Sequence, residues 1–136
     1  SHVNSVGALL LIDLHRFKSI NDTLGHAQGA ACLIEAGRRL VACCAPEALV
    51  ARIGGDEFAI ITRQSAEPGP ENLCAGIVEA FREPFVLGGQ SHLIGASIGM
   101  ARNAGQDAEA LYRDADSALY QAKSEGRGTW RYFTAA

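Results

Sequence analysis

One stretch of this 136-residue chain decides its fold: Arg52-Ile53-Gly54-Gly55-Asp56-Glu57-Phe58. It joins two apolar runs, residues 48–51 and 58–62. Two short apolar runs joined by Gly-Gly-Asp-Glu predict a β-hairpin, because glycine adopts the backbone conformations of a tight turn at no steric cost. The hairpin tip then carries two carboxylates. A cation or a phosphate-bound metal at the tip would explain them, and a turn with solvated acids is the alternative.

A further acidic residue stands at the end of another predicted strand. Residues 7–14 form an apolar run that is too short to span a membrane and is typical of a buried central strand. Asp13 closes this run, where a carboxylate is costly unless it is paired or binds a metal. Carboxylates at neighbouring strand ends, Asp13 and Asp56, suit a Mg²⁺ site completed by substrate phosphates. The alternative is that Asp13 caps the following helix.

Composition predicts one globular domain. The chain is 48% hydrophobic and 20% charged, and its length is enough to bury a core. A net charge of −3 does not favour binding to nucleic acid. No signal peptide or membrane-spanning run is visible, so we expect a cytoplasmic domain without membrane contact of its own, although missing segments could anchor the full-length protein. The four cysteines lack metal-ligand spacing and are expected to be reduced thiols.

Hydrophobic periodicity and turn signals predict alternating strands and helices. We expect strands over residues 6–14, 47–53, 58–63, 85–87, 92–101 and 130–133. Helices are expected over residues 16–24, 27–44, 71–82 and 107–125. Asp107 is the expected N-cap of the last helix, and Gly126 its C-terminal stop.

Further motifs follow the strand that ends at Asp13, in a fixed order along the chain: Phe17-Lys18, Ile20-Asn21-Asp22, Gly25-His26, Gly29, the hairpin, Ala96-Ser97-Ile98-Gly99, Asp114-Ala115-Asp116, Leu119-Tyr120-Gln121-Ala122-Lys123 and Gly126-Arg127. Together they resemble the GGDEF family, the diguanylate cyclases that make cyclic di-GMP. The resemblance runs from about residue 7 to 133 and implies one α/β (α+β) domain over residues 1–136. Its central, mostly antiparallel sheet would be flanked by helices, as in nucleotide cyclases and polymerase palm domains, with the hairpin carrying the GGDEF motif.

The resemblance implies a magnesium-dependent enzyme that joins two GTP molecules and releases pyrophosphate. Asp13, Asp56 and the backbone carbonyl of Leu14 would hold Mg²⁺ or Mn²⁺. Asp56 is the expected proton acceptor and Glu57 a helper at the metal. Lys18 would offset the charge of the transition state.

The same resemblance implies a set of substrate-binding residues: Phe17, Asn21, His26, Gly54, Gly55, Lys123 and Arg127. Lys123 and Arg127 are four apart on the last predicted helix and would both face the phosphates, and a solvated basic helix end is the alternative. Residues 15–18 open a helix whose free N–H groups would hold the terminal phosphates. For His26, the alternative is a turn residue bonded to local backbone.

The chain departs from the family pattern at three places. Ala30 stands where the family has the Asp that reads guanine together with Asn21. His15 replaces the second Asp of the first motif, which matters less if that position acts through its backbone N–H. Ala45 and Ala48 replace the Arg and Asp of a site that binds cyclic di-GMP in many members. We therefore expect weak guanine recognition and no product inhibition through that site.

Two function classes stay open. The first is an active diguanylate cyclase, which works as a homodimer because each subunit supplies half of the product. The second is a catalytically degenerate GTP-binding domain that regulates an attached EAL phosphodiesterase domain. A third, less favoured reading is a general nucleotide cyclase or a relative of palm-type polymerases, which share the geometry of two carboxylates. Residues 77–87 and 97–99 look like GGDEF domains that precede an EAL domain, so we expect the chain to be excised from a larger sensor protein.

Overall fold

The computed structural model describes residues 5–134, which form seven strands and four helices. In chain order these are β1 (Val6–Leu14), α1 (Phe17–Leu24), α2 (His26–Cys43), β2 (Leu49–Gly54), β3 (Glu57–Arg63), α3 (Pro70–Ala80), β4 (Phe85–Leu87), β5 (Gln90–His92), β6 (Ala96–Arg102), α4 (Ala108–Ser124) and β7 (Trp130–Tyr132).

Five of the strands form one sheet in the order β2-β3-β1-β6-β7. The central strand, β1, is antiparallel to both of its neighbours, and β2 is antiparallel to β3. Only the edge strand β7 runs parallel to its neighbour, β6. The expected α+β domain with a mostly antiparallel central sheet is therefore confirmed, as is the hairpin, formed by β2 and β3.

The core lies on both faces of the sheet because side chains alternate along β1. Leu10 and Ile12 belong to the larger cluster, which includes buried residues of α2 and α3. Leu9 and Leu11 belong to a smaller cluster that includes Ala115 and Leu119 of α4. The apolar run that predicted a buried central strand is thus explained by burial on two faces.

The helix α4 begins and ends where the sequence predicts. The Asp107 carboxylate accepts a hydrogen bond from the Ala110 N–H at 2.8 Å. At the other end, Gly126 adopts a φ of 109°, and the Arg127 N–H donates to the Ala122 carbonyl at 3.2 Å. This hydrogen bond is typical of a Schellman motif, which favours glycine at the position of Gly126 because glycine has no Cβ.

The predicted strand over residues 92–101 is wrong, because the chain changes sheets within it. β5 ends at His92 and pairs only with β4, whereas β6 begins at Ala96 beside β1. Between them, Ile94 is buried in the larger cluster and the Gly95 carbonyl accepts the His15 N–H at 2.9 Å. These long-range contacts outweigh the tendency of the apolar run to form one continuous strand.

The cysteines of residues 5–134 are free thiols. Burial raises the pKa of Cys32 to about 11 and that of Cys74 to about 12. Within residues 5–134, no helix combines the length and the apolar character that crossing a bilayer requires.

Gly99 lets α4 pack directly on β6, so we expect Gly99→Ala to destabilise the domain. A Cβ there would collide with the backbone of Leu119 and Ala115. We expect the free energy of unfolding to fall by about 1–3 kcal/mol, the usual cost of overpacking. Urea denaturation measures this. The matched control is Gly76→Ala on the exposed face of α3, where a Cβ meets nothing within 4 Å. Because alanine has a higher helix propensity than glycine, Gly76→Ala should raise the free energy of unfolding by about 0.5–1 kcal/mol. An equal decrease of this free energy in both variants would contradict the close packing at Gly99.

Candidate active site

The pairing of β1 gathers acidic residues at one end of the sheet. Asp13 lies opposite Glu57 of β3 on one side and opposite Ser97 of β6 on the other. Next to it, the Leu14 N–H donates to the backbone carbonyl of Asp56 at 3.0 Å. Besides burial, the charge of the neighbouring Asp13 carboxylate raises the pKa of Asp56. The structure thus brings together the two carboxylates that the sequence singled out.

The hairpin turn leaves the backbone open beside these carboxylates. Gly55 has a φ of 40°, and the Arg52 guanidinium donates through Nε to its carbonyl at 2.9 Å. Gly54 ends β2 without a positive φ, so the conformational argument applies only to Gly55. A Cβ at either glycine would meet nothing within 4 Å. A ligand can therefore reach the turn from solvent.

Negative charge accumulates at this end of the sheet. Burial raises the pKa of Asp56, and the neighbouring Asp13 carboxylate raises it further. Burial also raises the pKa of Glu57, with added repulsion from Asp13 and from Asp116 of α4. Carboxylates whose pKa is raised in this way favour any cation that binds between them.

Lys123 supplies a cation from α4. Its Nζ lies 2.8 Å from Asp13 Oδ2, and the Asp13 side chain is 14% exposed. Its charge lowers the pKa of both Asp56 and Glu57, against the larger effect of burial. Lys123 is therefore held by a specific ion pair, and a purely solvated helix end does not describe it.

Asp13 does not cap the helix that follows. Arg16 is the N-cap residue of α1, with a φ of 67°, and its side chain makes no capping hydrogen bond. The proposal that residues 15–18 offer free N–H groups fails for His15, because its N–H donates to the Gly95 carbonyl. Phe17 and Lys18 occupy the first uncapped turn, where Phe17 packs against the larger core cluster and Lys18 is exposed.

Arg127 lies beyond the end of α4, so the expectation that Lys123 and Arg127 share one helix is wrong. The helix ends at Ser124, and the glycine stop at Gly126 turns the chain before Arg127 is reached. Arg127 nevertheless stays at the same end of the sheet. Burial lowers the pKa of His15, and the nearby Arg127 charge lowers it further.

The junction of α1 and α2 holds the expected base-reading residues. A Cβ on Gly29 would collide with Asn21 Oδ1, so this glycine lets Asn21 lie against α2. Ala30 follows on α2 and is exposed. His26 is the first residue of α2 and is also exposed. The methyl group of Ala30 offers nothing to a base beyond apolar contact.

The donor set at the sheet end fits a hard divalent cation. Asp13 and Asp56 supply oxygens, which such ions prefer, and Leu14 follows Asp13 on the same strand end. Among residues 5–134, no group of three or more His, Cys, Asp and Glu side chains is arranged to hold a metal ion. An ion at this place would therefore also need backbone and substrate oxygens.

Sequence reasoning missed two contacts at this site. Ser97 and Asp116 both lie in recognised motifs, but neither was given a role. The motif order identified the residues, yet only the register of β6 and the packing of α4 place Ser97 beside Asp13 and Asp116 near Glu57.

The sequence matches a known protein family and individual proteins of related sequence. The family described as "Diguanylate cyclase, GGDEF domain" matches residues 1–129. The chain is 35% identical to the cyclic di-GMP phosphodiesterase PdeR of Escherichia coli, over 96% of this chain and 20% of PdeR. It is 38% identical to the diguanylate cyclase TpbB of Pseudomonas aeruginosa, over 91% of this chain and 29% of TpbB.

A solved structure extends the likeness to three dimensions. An EAL/GGDEF domain protein from M. capsulatus has a TM-score of 0.86 and 36% identity, covering 96% of this chain and 86% of that one. This chain belongs to the GGDEF domain family of diguanylate cyclases. It spans less than a third of the length of PdeR and of TpbB.

We expect the ion pair of Asp13 and Lys123 to stabilise the fold in metal-free buffer. Lys123→Met leaves the clustered carboxylates without their cation, and Asp13→Asn removes part of the repulsion. A double-mutant cycle by urea denaturation should give a coupling of at least about 1 kcal/mol, within the range for contacting residues. The control is the exposed pair Glu79 and Arg82, 3.4 Å apart. The expected coupling energy of this control pair is about 0.3–0.5 kcal/mol. Equal coupling energies for the two pairs would show that the Asp13–Lys123 pair stabilises the fold no more than a surface ion pair does.

Proposed function

We propose that this domain is a diguanylate cyclase, which condenses two GTP molecules into cyclic di-GMP with weakened guanine recognition. The proposal rests on one observation: the Leu14 N–H donates to the Asp56 carbonyl, which sets Asp13 and Asp56 at the same end of the sheet beside an open glycine turn. Two partly buried carboxylates with Lys123 beside them suit binding of a metal–triphosphate, in which both signs of charge must be matched.

The reaction requires a hydroxyl proton to leave and a phosphate to be attacked. The 3′-hydroxyl of one GTP attacks the α-phosphate of the other, and pyrophosphate departs. Asp56 accepts the hydroxyl proton, and its raised pKa brings it closer to that task. Glu57 assists at the same place. Bound Mg²⁺ or Mn²⁺, held by Asp13, Asp56 and the Leu14 carbonyl, would neutralise charge on the phosphates.

Basic side chains bind the phosphate chain. Lys18 on the first turn of α1, Lys123 at the end of α4 and Arg127 after it would offset the negative charge of the triphosphate. Asn21, with His26 and Phe17 nearby in sequence, forms the base side of the pocket. Gly54 and Gly55 let the substrate approach the hairpin backbone.

Two copies of the domain make one product. Each bond joins the 3′-oxygen of one GTP to the α-phosphate of the other, so two GTP-loaded domains must face each other. We therefore propose a catalytic homodimer. We also propose that the chain is one domain of a larger sensor protein with EAL or sensory partners, in keeping with its likeness to the EAL/GGDEF protein of M. capsulatus.

Ala30 favours a second candidate, a GTP-binding domain that regulates an attached phosphodiesterase without turning over. An exposed methyl group cannot replace a carboxylate that reads guanine. A relative at 35% identity, PdeR, is by its name a phosphodiesterase. Cyclic di-GMP formation from GTP and Mg²⁺, followed by chromatography, separates the two candidates, because the second predicts GTP binding without product.

We expect Asp56→Asn to abolish cyclase activity while the fold stays intact. A neutral amide cannot match a carboxylate as a hard-cation ligand and cannot take the hydroxyl proton. The loss should be about 100-fold or more, the usual contribution of a general base. Chromatography of the product measures the activity, and circular dichroism measures whether the fold is intact. Glu109→Gln, at an exposed position of α4, is the control and should keep the parent rate. Parent-level activity of Asp56→Asn would refute the assignment.

We expect Ala30→Asp to raise GTP affinity and to sharpen the preference for GTP over ATP. A hydrogen bond to a charged group should improve binding by about 10- to 150-fold. Calorimetry with analogues that carry a methylene bridge between the α- and β-phosphates avoids turnover. Ala27→Asp, an exposed position one turn earlier on α2, controls for added charge. If Ala30→Asp leaves the affinities for both analogues unchanged, this position does not read the base.

A further inference from the structure

The turn after α4 has an unusual backbone. Three successive residues adopt left-handed conformations, with φ values of 109° at Gly126, 63° at Arg127 and 61° at Gly128. Glycine does so freely, but Arg127 carries a Cβ and is disfavoured there. A residue in such a conformation persists only where the surrounding structure holds it, and such residues cluster at functional sites.

Two hydrogen bonds hold this turn. The Arg127 N–H donates to the Ala122 carbonyl at 3.2 Å, as expected where a helix ends at glycine. The Gly128 N–H donates to the side-chain hydroxyl of Ser97, also at 3.2 Å. This second bond connects the turn to β6, 31 residues away in sequence.

Ser97 in turn is bonded to His15. Its side chain is fully buried, and its Oγ lies 2.6 Å from His15 Nε2. A serine hydroxyl can accept one hydrogen bond and take part in another at the same time, so Ser97 can serve both partners. The chain of contacts thus runs from the end of β1, through β6, to the turn that carries Arg127.

The imidazole lies against two glycines. A Cβ added to Gly95 would be 2.9 Å from His15 Nδ1, and one added to Gly128 would be 4.0 Å from Cε1. A side chain at Gly95 would therefore displace the ring. The slot formed by Gly95, Ser97 and Gly128 fits the imidazole of His15, one of the residues at which this chain departs from the family pattern.

We infer that His15 is a positioning residue, which fixes through Ser97 the turn that presents Arg127 to the acidic end of the sheet. The part played by Arg127 in binding phosphates rests on the proposed function. The conformation of the turn can be tested without any substrate.

Amide exchange at Gly128, followed by NMR, reports on the turn itself. His15→Ala and Ser97→Ala should speed that exchange by about 2- to 10-fold, the range for loss of one ordinary hydrogen bond. His15→Gln, whose amide reaches about as far as Nε2, should keep the parent rate. His92→Ala removes an imidazole from β5 instead and should change nothing at Gly128. Exchange that is unchanged in His15→Ala would overturn the inference.

Binding of the methylene-bridged GTP analogue then tests what the turn is for. His15→Ala should weaken binding by about 2- to 10-fold in the parent and have little effect in the Arg127→Ala background, because His15 acts on the ligand through Arg127 and the two effects are then not additive. Equal weakening in both backgrounds would indicate a general structural role and overturn the inference. Should His15→Ala fail to fold, His15→Asn, whose amide is too short to reach Ser97, gives the same comparison. Absence of analogue binding to the parent would overturn the proposed function, and Gly128 exchange would decide the inference alone.

Discussion

The central strand β1 is paired on both edges and buried on both faces, and the acidic end of the sheet takes its geometry from that strand. A one-residue slip in register would turn Asp13 to the opposite face, but it would also move Leu10 and Ile12 out of the larger core cluster. The core therefore fixes where Asp13 lies between Glu57 and Ser97. Carboxylates that repel each other stay together because separating them would disrupt the packed sheet.

The same arrangement explains why a positive side chain is built into the site. Lys123 lies in the last turn of α4, where the helix dipole favours a cation, and it reaches Asp13 across the end of the sheet. α4 is held against β6 at Gly99, so the position of this ammonium group is also set by packing. The metal–nucleotide of the proposed function would meet carboxylates already partly neutralised, and it would compete with Lys123 for the Asp13 oxygens.

Local signals in the sequence were enough to predict much of this fold. The hairpin, the buried run of β1 and the Asp107 cap depend on neighbouring residues, and all three are present. The glycine stop at Gly126 was also predicted. A helix that stops at Gly126 cannot contain Arg127, so the two predictions for this segment were incompatible. The bond between His15 and Ser97 joins residues 82 apart, and no local pattern encodes it. The division of residues 92–101 between two sheets also involves a distant residue, because the Gly95 carbonyl between β5 and β6 accepts the His15 N–H.

The two halves of the candidate site rest on different parts of the structure. Asp13, Asp56 and Lys123 depend on the central sheet and on α4, whereas Asn21 and Ala30 depend on the junction of α1 and α2. A substitution at that junction can therefore change the proposed base-binding side of the site and leave the acidic end of the sheet unaltered. An intact GGDEF hairpin therefore supports only the part of the proposed site that would bind metal and phosphates, at the acidic end of the sheet. If the domain turns over GTP as proposed, the α1–α2 junction must also bind the base, and there this chain has an alanine where the family pattern has an acid.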